Sequence, residues 1–229
     1  PTGFFYWTQG VYVDTSGTFA LEVPDNADVR VGFSATSNAV VVQEDGVWED
    51  DHVWSTATMH IPAGTTQVDV GAIYPNSHHG ALHICADLTH AHNYFRDLGW
   101  DVTRVDVQWP DDDEGNSQYD PFWDELHIER DAAWNDATLC HEWGHYWHEM
   151  HAHSVTVDYC NGICDDGDCG HCGWCPENDA VTWIEGCAQV ISRLCTDHIA
   201  GLVPFQVEHK QIATPEDWAS CDWIPWDIE

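Results

Sequence analysis

Residues 140–151 read Cys-His-Glu-Trp-Gly-His-Tyr-Trp-His-Glu-Met-His, placing four histidines and two glutamates in twelve positions. Neutral imidazoles are good ligands for zinc, provided that they converge. On an α-helix, positions four apart lie about 40° from one another around the axis and about 6 Å apart along it. His141 and His145 can therefore aim at one point. Glu142 follows the first of them, beside such an ion but not at ligand spacing, where its carboxylate could take a proton from water acidified by the metal. The alternative is a surface helix with scattered histidines, because His-Glu-x-x-His is short enough to recur by chance.

A third ligand decides between these readings, and there are two candidates. With His151, the histidine spacing is that of metzincins. Their helix breaks at a glycine where this chain has His148, and their methionine lies downstream of the third histidine, whereas Met59 and Met150 both precede His151. The other candidate is Glu185, in Thr182-Trp183-Ile184-Glu185-Gly186-Cys187-Ala188, with a glycine that would let two helices approach. His141-Glu142-Trp143-Gly144-His145 followed by Trp183-Ile184-Glu185-Gly186 resembles the gluzincins, which carry the zinc histidines on one helix and a glutamate on the next. The resemblance covers about residues 79–200 in order of elements. It implies that His141, His145 and Glu185 hold a zinc ion, with Glu142 as general base and acid. It also implies that Leu126–Glu129 is an edge strand on which an extended peptide lies.

The family pattern is not complete here. Many gluzincins place an acid four residues after the ligand glutamate to steady a zinc histidine; here that position is Gln189, which can accept a hydrogen bond but brings no charge. A Tyr or His stabilises the oxyanion in the family, and Tyr159 and His198 are the candidates. His148, one turn past His145, would line the cleft, and His151 and His153 are read as exposed.

The elements that must position these groups follow from periodicity. Ala81, Cys85, Leu88, Phe95 and Leu98 recur at helical spacing up to a stop at Gly99. Val105, Val107 and Trp109 alternate as a strand that ends at Pro110. Asn135 or Asp136 caps the motif helix, whose stripe of Leu139, Trp143, Tyr146, Trp147 and Met150 faces a core. Gly144 lowers helix propensity, so its place between the two histidines points to close packing. A second helix runs from Asp179 to about Ile199, with Ile184, Ala188, Ile191 and Cys195 on one stripe. Before residue 77 the pattern is β: Phe19, Leu21 and Val23, then Val29, Val31 and Phe33, then Val68, Val70 and Ala72 alternate between turn signals. Several short strands at this spacing suggest a sandwich without a catalytic constellation.

Composition bounds the rest. Forty acidic against six basic residues give a net charge of −34, which repels nucleic acid and anionic lipid and favours cationic partners. No run of about 18 apolar residues is present to span a membrane. The first residues, Pro1–Gly10, lack the form of a signal peptide and suit a mature chain from which one has been removed. Ten cysteines, an even count, favour disulfides and an oxidising compartment, hence a secreted or periplasmic protein. Five of them, Cys160, Cys164, Cys169, Cys172 and Cys175, fall in one insert; disulfides lead there, ahead of a zinc knuckle and an iron–sulfur cluster. The acidic run Asp111–Glu114 reads as a solvated loop rather than a calcium site, and Asp165, Asp166 and Asp168 are read the same way, with Ca2+ as the alternative.

The expectation is an α+β chain: an N-terminal β-sandwich accessory domain over 1–77, then a small zincin-like metallopeptidase domain over 78–229 with a Cys-rich insert at about 158–176. It would be a secreted zinc enzyme acting on peptide bonds. The alternatives are an inactive zincin-fold binding module and a zinc hydrolase of a non-peptide amide.

Overall fold

The computed structural model describes residues 10–11, 17–44, 51–111, 116–152 and 179–202. The protein is α+β. Its strands are β1 (Ala27–Val29), β2 (Gly32–Ser34), β3 (Val40–Gln43), β4 (Val53–Ser55), β5 (Met59–Ile61), β6 (Val105–Gln108), β7 (Gln118–Asp120) and β8 (Glu125–His127). The helices are α1 (His79–Asp97), α2 (Asp136–Ala152) and α3 (Asp179–Leu202), with a short 3-10 turn, Asp131–Trp134, leading into α2.

The central sheet has the order β3-β6-β8-β7, with the first three strands parallel and β7 antiparallel at one edge. Val40 and Val42 of β3, Val105 and Val107 of β6 and Leu126 of β8 are buried against α1 and α2. The buried face of α1 is Ala81, Ile84, Cys85, Leu88, Ala91 and Phe95, at the spacing the sequence shows. Its end is fixed by Gly99, at φ +94°, whose amide donates to the Arg96 carbonyl at 2.9 Å. Asn135 caps α2, its side-chain oxygen accepting the Thr138 amide at 3.2 Å.

Three expectations are corrected. The strands before residue 77 form two separate antiparallel pairs, β1 with β5 and β2 with β4, while β3 is built into the central sheet beside β6. Among the described residues no sandwich stands apart from the helical part. The alternating stretches 19–23 and 68–72 form no strand: no neighbouring strand supplies a ladder, and Val23 and Val68 are exposed. Alternation gives a face, but a strand also needs a partner. The third correction is Asp111, expected in solvent. It is buried, with its carboxylate accepting a hydrogen bond from His127 Nδ1 at 2.7 Å.

Candidate metal centre

The motif helix is anchored by its apolar stripe: Leu139, Trp143 and Tyr146 are buried, with Trp147 and Met150 packed partly against the same core. On α3 the facing stripe is Ala188, Ile191, Cys195 and Ile199, all buried. The two helices approach closely at Gly144, where an added β-carbon would lie 3.0 Å from Ala188 Cα and 3.1 Å from its carbonyl oxygen. The close packing that the sequence indicates at Gly144 is present, whereas at Gly186, also expected to permit the approach, a β-carbon would meet nothing within 4 Å. The close contact is thus made from the histidine helix.

That contact brings the three candidate ligands together. His141 Nε2 lies 3.1 Å from His145 Nε2 and 3.2 Å from Glu185 Oε2, and His145 Nε2 lies 3.4 Å from the same oxygen. Hydrogen bonds alone cannot satisfy this triangle. The contact between the two imidazoles needs one donor and one acceptor, but whichever nitrogen accepts then turns a lone pair toward the carboxylate. A cation satisfies all three at once. Tetrahedral zinc with ligands at 2.0–2.1 Å sets them about 3.3 Å apart, which the observed edges match. These His and Glu side chains could hold a metal ion.

Glu142 is buried beside the triangle. Burial pushes its carboxyl up to about 7; the Glu185 charge adds to that, while His141 and the Tyr119 amide, which donates to the carboxylate, pull the other way. Strand β7 therefore contributes its backbone to the site. The strand that sequence resemblance made the edge, Leu126–Glu129, is observed as β8 at Glu125–His127 and lies inside the sheet between β6 and β7. The antiparallel edge strand is β7, which the sequence reading missed. Its Gln118-Tyr119-Asp120 is too short and polar to show a period, and only its place beside a turn gives it away.

The supporting residues are arranged differently from expectation. Gln189 is exposed, and the His141 Nδ1 atom it would steady is buried without a partner among the described residues. His198 packs at a tilt against Tyr94, ring centroids 4.7 Å apart, and lies about 20 Å along α3 from Glu185, so it cannot reach an oxyanion at the triangle. Tyr159, His153 and the cysteine insert lie outside the described residues. His148 is buried, its Nε2 accepting the Trp183 indole N–H at 3.2 Å, and the nearby His145 adds to burial in holding its pKa down. His151 packs against Trp100 and Trp147 rather than standing exposed. Helix α2 runs on through Ala152, and His151 takes no part in the ligand cluster. Cys85, Cys140, Cys187 and Cys195, expected to pair, are free thiols.

No protein-family model matches the chain, and no solved structure does. A protein described as uncharacterized, from Archaeoglobus fulgidus, is 36% identical over 76 residues, which are 32% of this chain and 21% of that protein. The aligned segment thus spans about a fifth of the relative's length.

Proposed function

We propose that the protein is a zinc-dependent metallopeptidase of the gluzincin type, with a zincin-like arrangement of α2, α3 and the β7 edge. The observation that carries this reading is the triangle of His141 Nε2, His145 Nε2 and Glu185 Oε2, with edges of 3.1 to 3.4 Å and Glu142 buried at its side. Those three atoms would hold the ion, which when bound supplies Lewis acidity to polarise a scissile carbonyl and acidify water. Glu142 would accept the water's proton on its carboxylate and pass it to the leaving amine. The Tyr119 amide donates to that carboxylate and so holds it beside the ion. An extended peptide would lie along β7, pairing with backbone as an added strand. The acidic surface favours substrates carrying Lys or Arg. A location outside the cell belongs to this reading through the six cysteines beyond the described residues.

The test compares the wild-type chain with Glu142→Gln, each purified without added metal and offered a mixed peptide library. One zinc per chain in both, with cleavage by the wild type alone, is the expected result. Equal behaviour of the two toward peptides would end the enzyme reading and leave a zinc-binding module.

A further inference from the structure

A second group of metal-type side chains joins α1 to the start of α2. His83 Nε2 lies 3.1 Å from Asp136 Oδ1 and 3.5 Å from Asp87 Oδ2, and the three ligand atoms all fall within 4.8 Å of one another. His83 and Asp87 are one turn apart on α1, and Asp136 is the first residue of α2. The single proton that His83 Nε2 can carry goes to Asp136. Among the described residues Asp87 Oδ2 is then left buried without a donor, in a side chain only 6% exposed, facing the imidazole and the Asp136 carboxylate. An oxygen of this kind is costly to bury unless something neutralises it. No proton on His83 serves both carboxylates, whereas one cation between the three atoms does.

We propose that His83, Asp87 and Asp136 form a binding site for a first-row divalent cation, separate from the His141 centre. One imidazole and two carboxylates suit ions such as Mn2+ or Zn2+; Ca2+ asks for six to eight oxygens. The side chains of His83 and Asp136 are 25% and 23% exposed, so an ion has a way in and water can complete its shell. Asp136 and His141 are five residues apart on α2, about 7.5 Å along the axis and about 140° around it, so no single ion serves both sites. The bound ion clamps the first turn of the motif helix to α1.

The site is tested by titrating Mn2+ into the full chain, already given one equivalent of Zn2+, while the signal of free Mn2+ is followed by electron paramagnetic resonance. About 1 M salt shortens the screening length to roughly 3 Å and suppresses diffuse binding to the acidic surface. The expected result is one saturable Mn2+ per chain. Both His83→Gln and Asp136→Asn should weaken it by at least the roughly tenfold that losing a hydrogen bond to a metal ligand costs, with unchanged far-ultraviolet dichroism. Pulsed resonance of bound Mn2+ should show coupling to an imidazole nitrogen, and that coupling should persist in His145→Ala, which damages only the other centre. This last measurement does not depend on the two site variants folding. Saturable binding that is absent, equally tight in both variants, or without nitrogen coupling overturns the proposal.

Discussion

The α-carbon of Ala188 stands 3.0 Å from the place where a β-carbon on Gly144 would be, so the helix carrying two candidate ligands touches the helix carrying the third almost backbone to backbone. Replacing Gly144 with Val should force the helices apart at that point. The overpacking cost is about 1–3 kcal/mol, and the ligand triangle should widen with it. Denaturant unfolding together with elemental analysis checks this. A Gly144→Val protein that keeps wild-type stability and full zinc content would show that the helices are not in contact there.

Removing the metal should loosen the same pair of helices. A ligand that binds only the folded state at roughly 100 times its dissociation constant adds about 2.7 kcal/mol. Dialysis against a chelator should therefore lower the melting temperature, and zinc should restore it. In an Asp136→Asn background, which disables the His83 cluster, Glu185→Ala should melt at the same low temperature with and without zinc. Zinc-dependent melting that survives in Glu185→Ala would place the stabilising ion elsewhere.

Acid should weaken the packing of α1 on α3. His90 is held below its ordinary pKa, first by burial and then by the charge of His198 across the helix pair. A histidine whose folded pKa is depressed binds its proton more readily when unfolded, so its contribution to stability falls as pH drops below about 6.5 and is lost below the folded value. The denaturation midpoint, followed from pH 8 downward, should decline in that window. It should decline less in His90→Gln. Identical slopes for the two proteins would remove His90 from the account.

The four free thiols among the described residues should differ in reactivity. Burial raises the Cys85 thiol to about 11, and Cys140 is held well above the ordinary thiol range by its buried neighbour Cys195 and by burial itself. Thiolate is the reactive form. Peptide mapping after brief alkylation of the native chain should find label on half-exposed Cys187 before Cys85, Cys140 or Cys195. Early labelling of Cys140 would mean that the α2–α3 interface opens readily.

Much of the site was legible because its information is local. The spacing of His141 and His145, the helical stripe of Leu139, Trp143 and Tyr146, and the Asn135 cap are all written within a few turns of one another, and the structure has each of them. The contribution of Glu185 could be named from its surroundings but not placed, since that needs the contact of two helices. What stayed hidden depends on pairing at a distance. Asp111 reads as one charge in an acidic run until His127 is brought to it by the sheet. Likewise His83 and Asp87 carry no motif, and their relation to Asp136 exists only because α1 packs against the start of α2. Strand β7 has no apolar period to read in Gln118, Tyr119 and Asp120, and only the neighbouring turn marks it.

The pairing of Val40 with Val105 also sets an order of assembly. Strand β3 leaves the ribosome long before β6 exists, and its apolar Val40, Val41 and Val42 must wait for that partner. Helix α1, built from local contacts, can form in the interval and draw the two strands together. The helices that carry the candidate ligands follow later in the chain and pack onto that open sheet. A chain cut at residue 77 would lack β3 and leave β6 with one open edge, so its fate should be self-association rather than a smaller working fold.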